Sequence, residues 1–354
     1  MSYKSFCRRN SLAVALALLL VGCLDVSAER LQSKTAELRL CSQNLFRFND
    51  RSKRVSDEKR EQQKNFLIAR FLNVQCDVIA AQEVAGRNRE EASATLGELA
   101  KSLSQRSGRK FVHYVGDADD RFIRNGFIVA RDAGRVLAVK NYGSEYLPRL
   151  QQLGPSGHFI RAPIGLQLEV LRREGGAARQ FFILNIHAKS KTRDSKDPSG
   201  TKFELVRMEM AEGARQILQR ERQQLPKDAV VAIVGDRNSD VGSASARILE
   251  GDLRLEDFRA GGGCRLEQNL EADCRDQAAR KPPLLGLFAY RREQDRSHTG
   301  SIVFRGREEL IDEIAIAPEQ LPLVTGPTGR LAIGFEGQFY KGSDHKLLHA
   351  TFDF

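Results

Sequence analysis

The chain has 354 residues, 41% of them hydrophobic, and carries a formal net charge of +10 at pH 7. This length fits one sizeable domain, and the sequence shows neither an internal repeat nor an inner apolar stretch that would span a membrane, which excludes solenoid and multi-span membrane proteins. The positive balance favours a polyanionic substrate, whereas the absence of Trp and the sparse aromatic residues indicate no stacking platform for single strands.

An export signal occupies the first residues of the chain. Lys4, Arg8 and Arg9 precede an apolar run over residues 11–20 that is typical of a secretory signal and too short for a comfortable membrane span. The following Leu20-Val21-Gly22-Cys23 resembles a bacterial lipobox, in which the cysteine is lipidated and becomes the mature N-terminus.

Three assignments follow from the lipobox: a signal peptide over residues 1–22, lipidation of Cys23, and a tether over residues 23–36. Because Leu24 rather than Asp follows the cysteine, the lipoprotein rule predicts anchoring in the outer membrane. The alternative is an ordinary periplasmic or secreted protein cleaved near Ala28.

Beyond residue 36, strand and helix patterns alternate. The patterns predict helices over residues 54–73, 90–103, 203–218 and 243–249, and strands over 38–41, 77–81, 111–115, 126–130, 164–171, 181–186, 230–234, 301–304, 311–315 and 347–352. Many strands with fewer, interspersed helices fit a two-sheet sandwich flanked by helices. Residues 257–296 are predicted to be a long irregular region, which in a compact domain is usually functional or mobile.

The cysteines divide into two groups. Cys264 and Cys274 lie in a Gly-rich polar stretch, and in an oxidising compartment they are predicted to form a disulfide that fixes a surface loop. Cys41 and Cys76 lie on or beside strand patterns and are predicted to be buried small hydrophobic residues, with a bridge between them as the alternative.

Five short polar motifs lie on or at the ends of apolar strand-like runs. They are Ser42-Gln43-Asn44, Gln82-Glu83, Asn185-Ile186-His187, Gly235-Asp236-Arg237-Asn238 and Ser343-Asp344-His345. Residues at the ends of neighbouring strands converge on one rim of a sheet, so these side chains are expected to meet. Their oxygen atoms and histidines would supply ligands for a hard divalent cation and groups for proton transfer, a combination that suits hydrolysis of a phosphate ester.

The order of these motifs, with Ile311-Asp312 ahead of the last one, resembles the endonuclease/exonuclease/phosphatase superfamily of deoxyribonuclease I-like proteins. The resemblance covers residues 37–354, predicted to be one catalytic domain. It implies an α+β fold, a four-layer sandwich of two mainly antiparallel sheets flanked by helices. It also implies hydrolysis that depends on one Mg²⁺ or Mn²⁺ ion, with a second ion left open.

The resemblance carries over to individual residues. It implies metal ligands at Asn44, Glu83 and Asp344, catalytic residues at His187, Asp236, Asn238, Asp312 and His345, and a phosphate contact at Arg161. An Asp within an apolar strand needs a partner because an unpaired buried carboxylate is costly, so Asp312 is expected to orient His345. Whether Asp236 or His345 is the general base stays open.

Two features near these motifs bear on substrate choice. Lys189 and Lys191 make the loop after His187 basic, and both a phosphate clamp and a solvated loop remain open for it. After Asp312, where many relatives carry His, Tyr or Arg, this chain has Glu313, which strand alternation should point away from the site.

The leading functional hypothesis is a nuclease that hydrolyses DNA or RNA outside the cytoplasm. A phospholipid-headgroup or inositol-phosphate phosphatase or phosphodiesterase on the same fold is the alternative, and a non-enzymatic surface lipoprotein is a third. The partners expected are nucleic acid as substrate and the membrane through the lipid anchor; the sequence indicates no protein partner.

Overall fold

The computed structural model describes residues 37–49, 55–118, 120, 122–150, 157–170, 178–191, 197–275, 280–296 and 299–354. The predicted signal peptide (1–22), Cys23 and the predicted tether (23–36) lie outside these residues, and their assignments stay predictions. None of the helices in the described ranges combines the length and the apolar character needed to cross a membrane.

Strands dominate the described part of the chain. In chain order its strands and α-helices are β1 (Glu37–Asn44), α1 (Asp57–Val74), β2 (Val78–Ala85), α2 (Arg89–Ser107), β3 (Phe111–Val115), β4 (Ile123–Ala130), β5 (Arg135–Asn141), β6 (Ile164–Val170), β7 (Arg179–His187), α3 (Thr201–Gln224), β8 (Val230–Asp236), α4 (Ala244–Glu250), β9 (Cys264–Leu266), β10 (Ala272–Cys274), β11 (Leu285–Gly286), α5 (Leu287–Asp295), β12 (Ile302–Phe304), β13 (Arg307–Glu309), β14 (Asp312–Ile316), β15 (Ile333–Glu336) and β16 (Leu347–Asp353).

Two six-stranded sheets form the centre of the fold. The first sheet has the strand order β15-β16-β1-β2-β4-β3, and the second has the order β11-β14-β8-β7-β6-β5. Within them β1 pairs with β2 and β7 pairs with β8 in parallel, and the remaining neighbours are antiparallel. Each sheet is therefore mainly antiparallel around one parallel pair.

The two sheets pack face to face and helices cover their outer faces. Leu40 and Phe127 of the first sheet share one buried core with Ile183 and Val234 of the second. Helices α1 and α2 pack on the outer face of the first sheet, and α3 and α4 pack on the outer face of the second. The predicted four-layer α+β sandwich of two mainly antiparallel sheets flanked by helices is confirmed.

Helix boundaries follow the capping chemistry. Helix α1 begins at Asp57, not at residue 54, because Ser56 is its N-cap and accepts the backbone N–H of Lys59 at 3.3 Å. Helix α2 continues past the predicted end at residue 103 to Ser107, and Gly108 then takes the left-handed conformation that ends it.

The prediction that residues 257–296 are irregular is wrong for much of that stretch. The hairpin of β9 and β10, the short strand β11 and helix α5 all lie within it. The short strands offer too few residues for a recognisable alternation, and α5 is amphipathic over little more than two turns. Its first backbone N–H groups are satisfied by a distant side chain, described below.

Two disulfides cross-link the described chain. Cys264 and Cys274 are bonded as predicted, across the β9–β10 hairpin. Cys41 and Cys76 are also bonded, so the preferred interpretation of them as unbridged hydrophobic residues is wrong and the alternative holds. Both cysteines are buried in the core between the first sheet and helices α1 and α2. The bond joins β1, the strand that ends at Asn44, to the segment between α1 and β2.

Replacing Cys41 and Cys76 together with alanine should lower the free energy of unfolding by about 3–4 kcal/mol, because the bond closes a loop with a sequence separation of 35. The same change at Cys264 and Cys274, separated by 10 residues, should cost about 1 kcal/mol less. Urea unfolding of both variants measures the two losses. Equal or reversed losses would show that loop closure does not govern the contribution of these bonds.

Candidate active site

The candidate site lies at the end of the sandwich where the parallel strands finish. Strand β1 ends at Asn44 and β8 ends at Asp236, and Nδ2 of Asn44 donates to Oδ2 of Asp236 at 3.1 Å. The β7 residue paired with Asp236 is His187, and the β14 residue paired with it is Asp312. The structure thus brings motif residues from both sheets to one rim.

Gly235 allows β7 and β8 to come close at this rim. Its φ is +128°, and a Cβ atom there would lie 2.1 Å from the carbonyl oxygen of Ile186. The sequence predicts a sharp turn at this glycine, but the strand continues to Asp236. The glycine is required by close backbone approach rather than by a turn.

His345 and Asp312 form a buried pair, as predicted. Nδ1 of His345 lies 2.7 Å from Oδ2 of Asp312, and both side chains are almost fully buried. Burial lowers the pKa of His345, but the negative charges of Asp312, Asp236 and Asp344 outweigh it and raise this pKa to about 10. The carboxylate therefore orients the ring and stabilises its charged form.

Asp236 lies between the two histidines. Its Oδ2 is 3.4 Å from Nε2 of His187 and 3.9 Å from Nε2 of His345, while its Oδ1 accepts the backbone N–H of Asn238 at 2.8 Å. Burial raises the pKa of Asp236 to about 7, and the nearby charge of Asp312 adds to the increase. A carboxyl group with this pKa can take up or release a proton near neutral pH.

His187 orients an arginine. Nη1 of Arg161 donates to Nε2 of His187 at 2.8 Å and to the carbonyl oxygen of Ala188 at 2.9 Å, and Nε of Arg161 contacts Asp120 at 3.3 Å. Burial, reinforced by the charge of Arg161, holds the pKa of His187 well below its usual value. His187 is then neutral and accepts from the arginine, so in this arrangement Arg161 rather than His187 is the cationic donor at the rim.

Glu83 occupies a distorted position in β2. The pairing of β2 with β4 is interrupted by a bulge between Ala81 and Val84, and Glu83 has a φ of +54°. Left-handed backbone at a non-glycine residue costs about 1–3 kcal/mol and is concentrated at functional sites. The bulge directs the Glu83 carboxylate to the rim, where it lies 4.0 Å from Nε2 of His187 and 3.9 Å from Nε of Arg47.

Asn44 and Asp344 differ in how their polar atoms are used. The Asn44 amide is engaged at both ends, since Oδ1 accepts the backbone N–H of Phe46 at 2.9 Å and Nδ2 donates to Asp236. In the described residues no hydrogen-bond donor reaches the buried Oδ1 of Asp344, and burial raises the pKa of this carboxyl group. Asn44 thus acts as a hydrogen-bonding neighbour, whereas Asp344 has an oxygen available for a cation.

Two sets of described side chains could hold a divalent cation. Asp236, Asp312 and His345 place potential ligand atoms within 4.8 Å of one another, but two of the three already bind each other. The predicted pair, Glu83 and Asp344, offers a partly exposed carboxylate and a buried carboxylate oxygen that lacks a donor. The oxygen atoms of these two carboxylates suit a hard cation that takes carboxylate and water ligands.

The other predicted substrate-contacting residues make contacts within the protein. Asn238, with a φ of +51°, donates through Nδ2 to the carbonyl oxygen of Ala188 at 3.2 Å. The ammonium of Lys189 lies 4.1 Å from the ring centroid of Phe203. Lys191 pairs with Glu309, and burial lowers its pKa to about 8. These contacts hold the loop after β7 against neighbouring elements.

Two buried amides of the motifs connect the sheets. Nε2 of Gln82 donates to Oδ1 of Asn185 at 2.7 Å, and Nδ2 of Asn185 donates to the carbonyl oxygens of Ala81 and Gly126 at 3.0 and 2.9 Å. Gln82 lies in the first sheet and Asn185 in the second. Their role is to fix the spacing of the sheets beneath the rim.

Sequence reasoning missed two residues that support the His345 segment. Arg70 of α1 is buried and donates to the carbonyl oxygen of His345 at 2.7 Å and to Oε1 of Gln43 at 3.0 Å. Oγ of Ser301 accepts the backbone N–H groups of Ile311 and Asp312, both at 3.1 Å. An arginine inside the apolar stripe of α1 was the one signal that could have identified Arg70.

Arg237 and Glu313, the neighbours of the two buried aspartates, lie on the opposite face of the second sheet, as alternation predicts for Glu313. Oε1 and Oε2 of Glu313 accept the backbone N–H groups of Phe288 and Ala289 at 2.9 and 3.0 Å, which caps the start of α5. Arg237 approaches Glu313 to 3.9 Å and Glu250 to 3.5 Å. Burial raises the pKa of Glu313 to about 7. Glu313, which stands where many relatives carry His, Tyr or Arg, thus caps the start of helix α5.

Arg237→Met should destabilise the protein by about 3–5 kcal/mol, because it leaves the buried carboxylate of Glu313 without its cation. Adding Glu313→Gln should recover part of that loss, because the unpaired charge is gone and one of the two oxygens that cap α5 remains. Urea unfolding of the two single variants and the double variant gives the coupling energy. Strictly additive losses would mean that the two side chains do not interact.

Comparison with known proteins places this architecture. The fold is similar to that of truncated TDP2 from Caenorhabditis elegans (18% identity, TM-score 0.52, covering 90% of this chain and 98% of that one). It is also similar to the human Nocturnin catalytic domain (14% identity, TM-score 0.54, covering 90% of this chain and 95% of that one). A third similar structure is an endonuclease/exonuclease/phosphatase family protein from Bacteroides thetaiotaomicron (14% identity, TM-score 0.52, covering 89% of this chain and 94% of that one). No protein-family sequence profile matches the chain, and no curated protein matches it by sequence.

The chain therefore has the endonuclease/exonuclease/phosphatase fold, as the motif order implies. At these identities the similarity defines the architecture alone.

Proposed function

We propose that the protein is a divalent-metal-dependent phosphodiesterase that hydrolyses nucleic acid outside the cytoplasm. The observation that carries this proposal is the buried pair of His345 and Asp312, with Nε2 of His345 only 3.9 Å from Oδ2 of Asp236. Proton-transfer groups beside metal-binding carboxylates suit hydrolysis of a phosphate diester. Zebrafish (D. rerio) TDP2, which has a similar fold at a TM-score of 0.51, was crystallised with a single-strand DNA product, which supports nucleic acid as the substrate class.

Each rim residue has a part in this chemistry. Mg²⁺ or Mn²⁺ held by Glu83 and Asp344 would neutralise charge on the scissile phosphate. His345 and Asp236 are the groups that hold and move protons at the reacting atoms, with Asp312 fixing the His345 ring. Arg161 is the cation aimed at a phosphate oxygen, with its guanidinium oriented by His187.

Exposed aromatic rings beside the rim favour single-stranded substrates. Phe46, two residues after Asn44, is 47% exposed, and Tyr340, three residues before Ser343, is 69% exposed. The sequence indicates no stacking platform because aromatic residues are scarce, but scarcity does not determine where they lie, and these two rings would be available to stack with bases. Each base stacked on such a ring contributes about 1–3 kcal/mol.

The same exposed rings also favour the alternative, a phospholipid-headgroup or inositol-phosphate phosphatase, because they could serve as the apolar lip that a lipid substrate requires. One screen separates the candidate functions. It measures cleavage of single-stranded DNA, plasmid DNA, RNA, sphingomyelin and inositol phosphates, each with Mg²⁺ and with a chelator. We expect metal-dependent cleavage of single-stranded nucleic acid, reduced by Phe46→Ala and Tyr340→Ala. Turnover of sphingomyelin or inositol phosphates alone would overturn the nuclease assignment.

The location of the protein is a separate part of the proposal, supported by the lipobox sequence that ends at Cys23. Cys23→Ala should move the protein from the outer-membrane fraction to the soluble fraction, or leave its signal peptide attached, because the acceptor of the lipid is lost. Fractionation with N-terminal sequencing measures both. A wild-type mature chain that begins near Glu29 would instead establish ordinary secretion.

A further inference from the structure

A second concave site lies at the other end of the second sheet. It is a cleft of about 620 Å³ bordered by Val231 near the start of β8, by Ala317 after β14 and by Gly251 after α4. Five residues separate Val231 from Asp236 along β8, which corresponds to about 16 Å at 3.3 Å per residue. The cleft is therefore distinct from the candidate active site.

Cationic side chains dominate its lining. The charged residues that line it are Arg215, Arg222, Arg254, Arg280, Lys281 and Glu319. Arg280 is held by Asp257 in a two-point contact, and Arg215 pairs with Glu212. Arg222 approaches Glu319 to 3.6 Å, and Glu319 is the one carboxylate among the residues that line the cleft, against five cations.

Three of the arginines are held in place by protein contacts. Arg222 donates through Nη1 to the carbonyl oxygen of Ala229 at 2.7 Å, in addition to the pairings of Arg215 and Arg280. By contrast, the side chains of Arg254 and Lys281 are exposed, and within the described ranges neither side chain forms an ion pair, although the backbone N–H of Arg254 donates to Oδ2 of Asp257 at 2.8 Å. The cleft thus combines fixed cations with two others that can turn toward a ligand.

We propose that this cleft binds a small ligand that carries two or more phosphate groups. A concave surface lined by one sign of charge concentrates counter-ions, and the planar fork of arginine matches phosphate oxygens in two-point contacts. Several cations spread around one cleft match several phosphate groups better than one, and 620 Å³ is within the range of small-molecule sites. The proposal does not depend on the chemistry of the rim.

The ligand could be free or could be the headgroup of a lipid. Phe352, the strand partner of Leu38 near the start of β1, packs against Phe181 with tilted rings whose centroids are 4.8 Å apart, and Phe181 pairs with Val230 of β8. Glu37, the first described residue, therefore lies at the same end of the sandwich as the cleft. A lipid headgroup near an anchored N-terminus would be within reach.

Calorimetry with inorganic tripolyphosphate tests the site on the processed full-length protein. We expect binding that weakens at least about tenfold in Arg254→Glu combined with Lys281→Glu, because each change removes a charged hydrogen-bond donor and adds repulsion. The matched control is Lys101→Glu, a charge reversal at an exposed position on α2, which should leave binding unchanged. No binding by the wild type, or equal binding by the double variant, would overturn the proposal.

Two further measurements distinguish a free ligand from a lipid headgroup, and the cleft from the candidate active site. Mixed micelles that contain cardiolipin, compared with phosphatidylcholine alone, show whether a lipid headgroup competes with tripolyphosphate for the cleft. Glu83→Gln should bind tripolyphosphate like the wild type, so failure of the catalytic assignment would leave this result intact. If a 20-nucleotide single strand bound tightly and lost that binding in the double variant while tripolyphosphate bound only weakly, the cleft would belong to the polymer substrate and the proposal would be wrong.

Discussion

His345→Ala is expected to lower kcat by about 10²–10⁴-fold on whichever substrate the screen identifies, because the variant loses a group that transfers protons in the transition state. The ring is buried and held at 2.7 Å by Asp312, so its Nε2 has a fixed position at the rim that alanine cannot supply. Single-turnover kinetics on the cleavage step measures the loss without interference from product release.

Asp312→Asn is expected to reduce kcat almost as much while the protein stays folded. The amide keeps the shape of the side chain, but it carries no charge to stabilise the imidazolium that the three aspartates now favour. The pKa of His345 should fall in this variant, and the pH dependence of kcat should change with it. Thermal melts of the variant check that the fold is retained.

Combining the two substitutions should cost little more than His345→Ala alone, because residues that act as one unit have non-additive effects. If the two losses multiplied instead, Asp312 and His345 would be acting independently despite their contact. The pairing proposed for them would then be structural only.

Glu83→Gln is expected to weaken metal binding at least about tenfold and to lower turnover about 10²-fold at fixed Mg²⁺, since the metal supplies charge stabilisation worth several kcal/mol in the transition state. The bulge and the left-handed backbone that direct Glu83 to the rim should persist, because glutamine has the same shape. Mn²⁺ titration by calorimetry and activity measured against Mg²⁺ concentration report the two effects separately.

The matched control is Glu90→Gln, the same chemical change at an exposed position in the first turn of α2. It should leave both metal binding and turnover unchanged. Wild-type activity of Glu83→Gln in chelator-treated buffer would remove Glu83 from the metal site and direct attention to Asp236 and its neighbours.

The layered fold, and the set of motif residues that lie at the rim, were predictable because both depend on apolar runs and on the polar motifs at their ends. Apolar runs such as residues 181–186 and 230–234 mark buried strands wherever they occur, and polar motifs at their ends must share a rim once the strands are parallel neighbours. The contact of Asp312 with His345 followed from the cost of leaving a carboxylate unpaired within an apolar strand.

What could not be predicted depends on partners that are distant along the chain. The bond between Cys41 and Cys76 requires the sheet register, which no spacing rule provides. Helix α5 is capped by Glu313 across 25 residues, so its own sequence lacks a start signal. The orientation of Arg161 by His187 depends on side-chain geometry that no sequence pattern reveals.

The rim is divided between the two sheets, and two of its hydrogen bonds cross from one sheet to the other. His345 precedes β16 of the first sheet while Asp312 opens β14 of the second, and Asn44 reaches Asp236 in the same way. Neither sheet alone can assemble the pair of His345 and Asp312, so we expect a half-folded chain to be inactive. During refolding, strand signals in circular dichroism should precede activity, which should appear only when the sheets dock. The division of the rim between the sheets thus ties activity to completion of the fold.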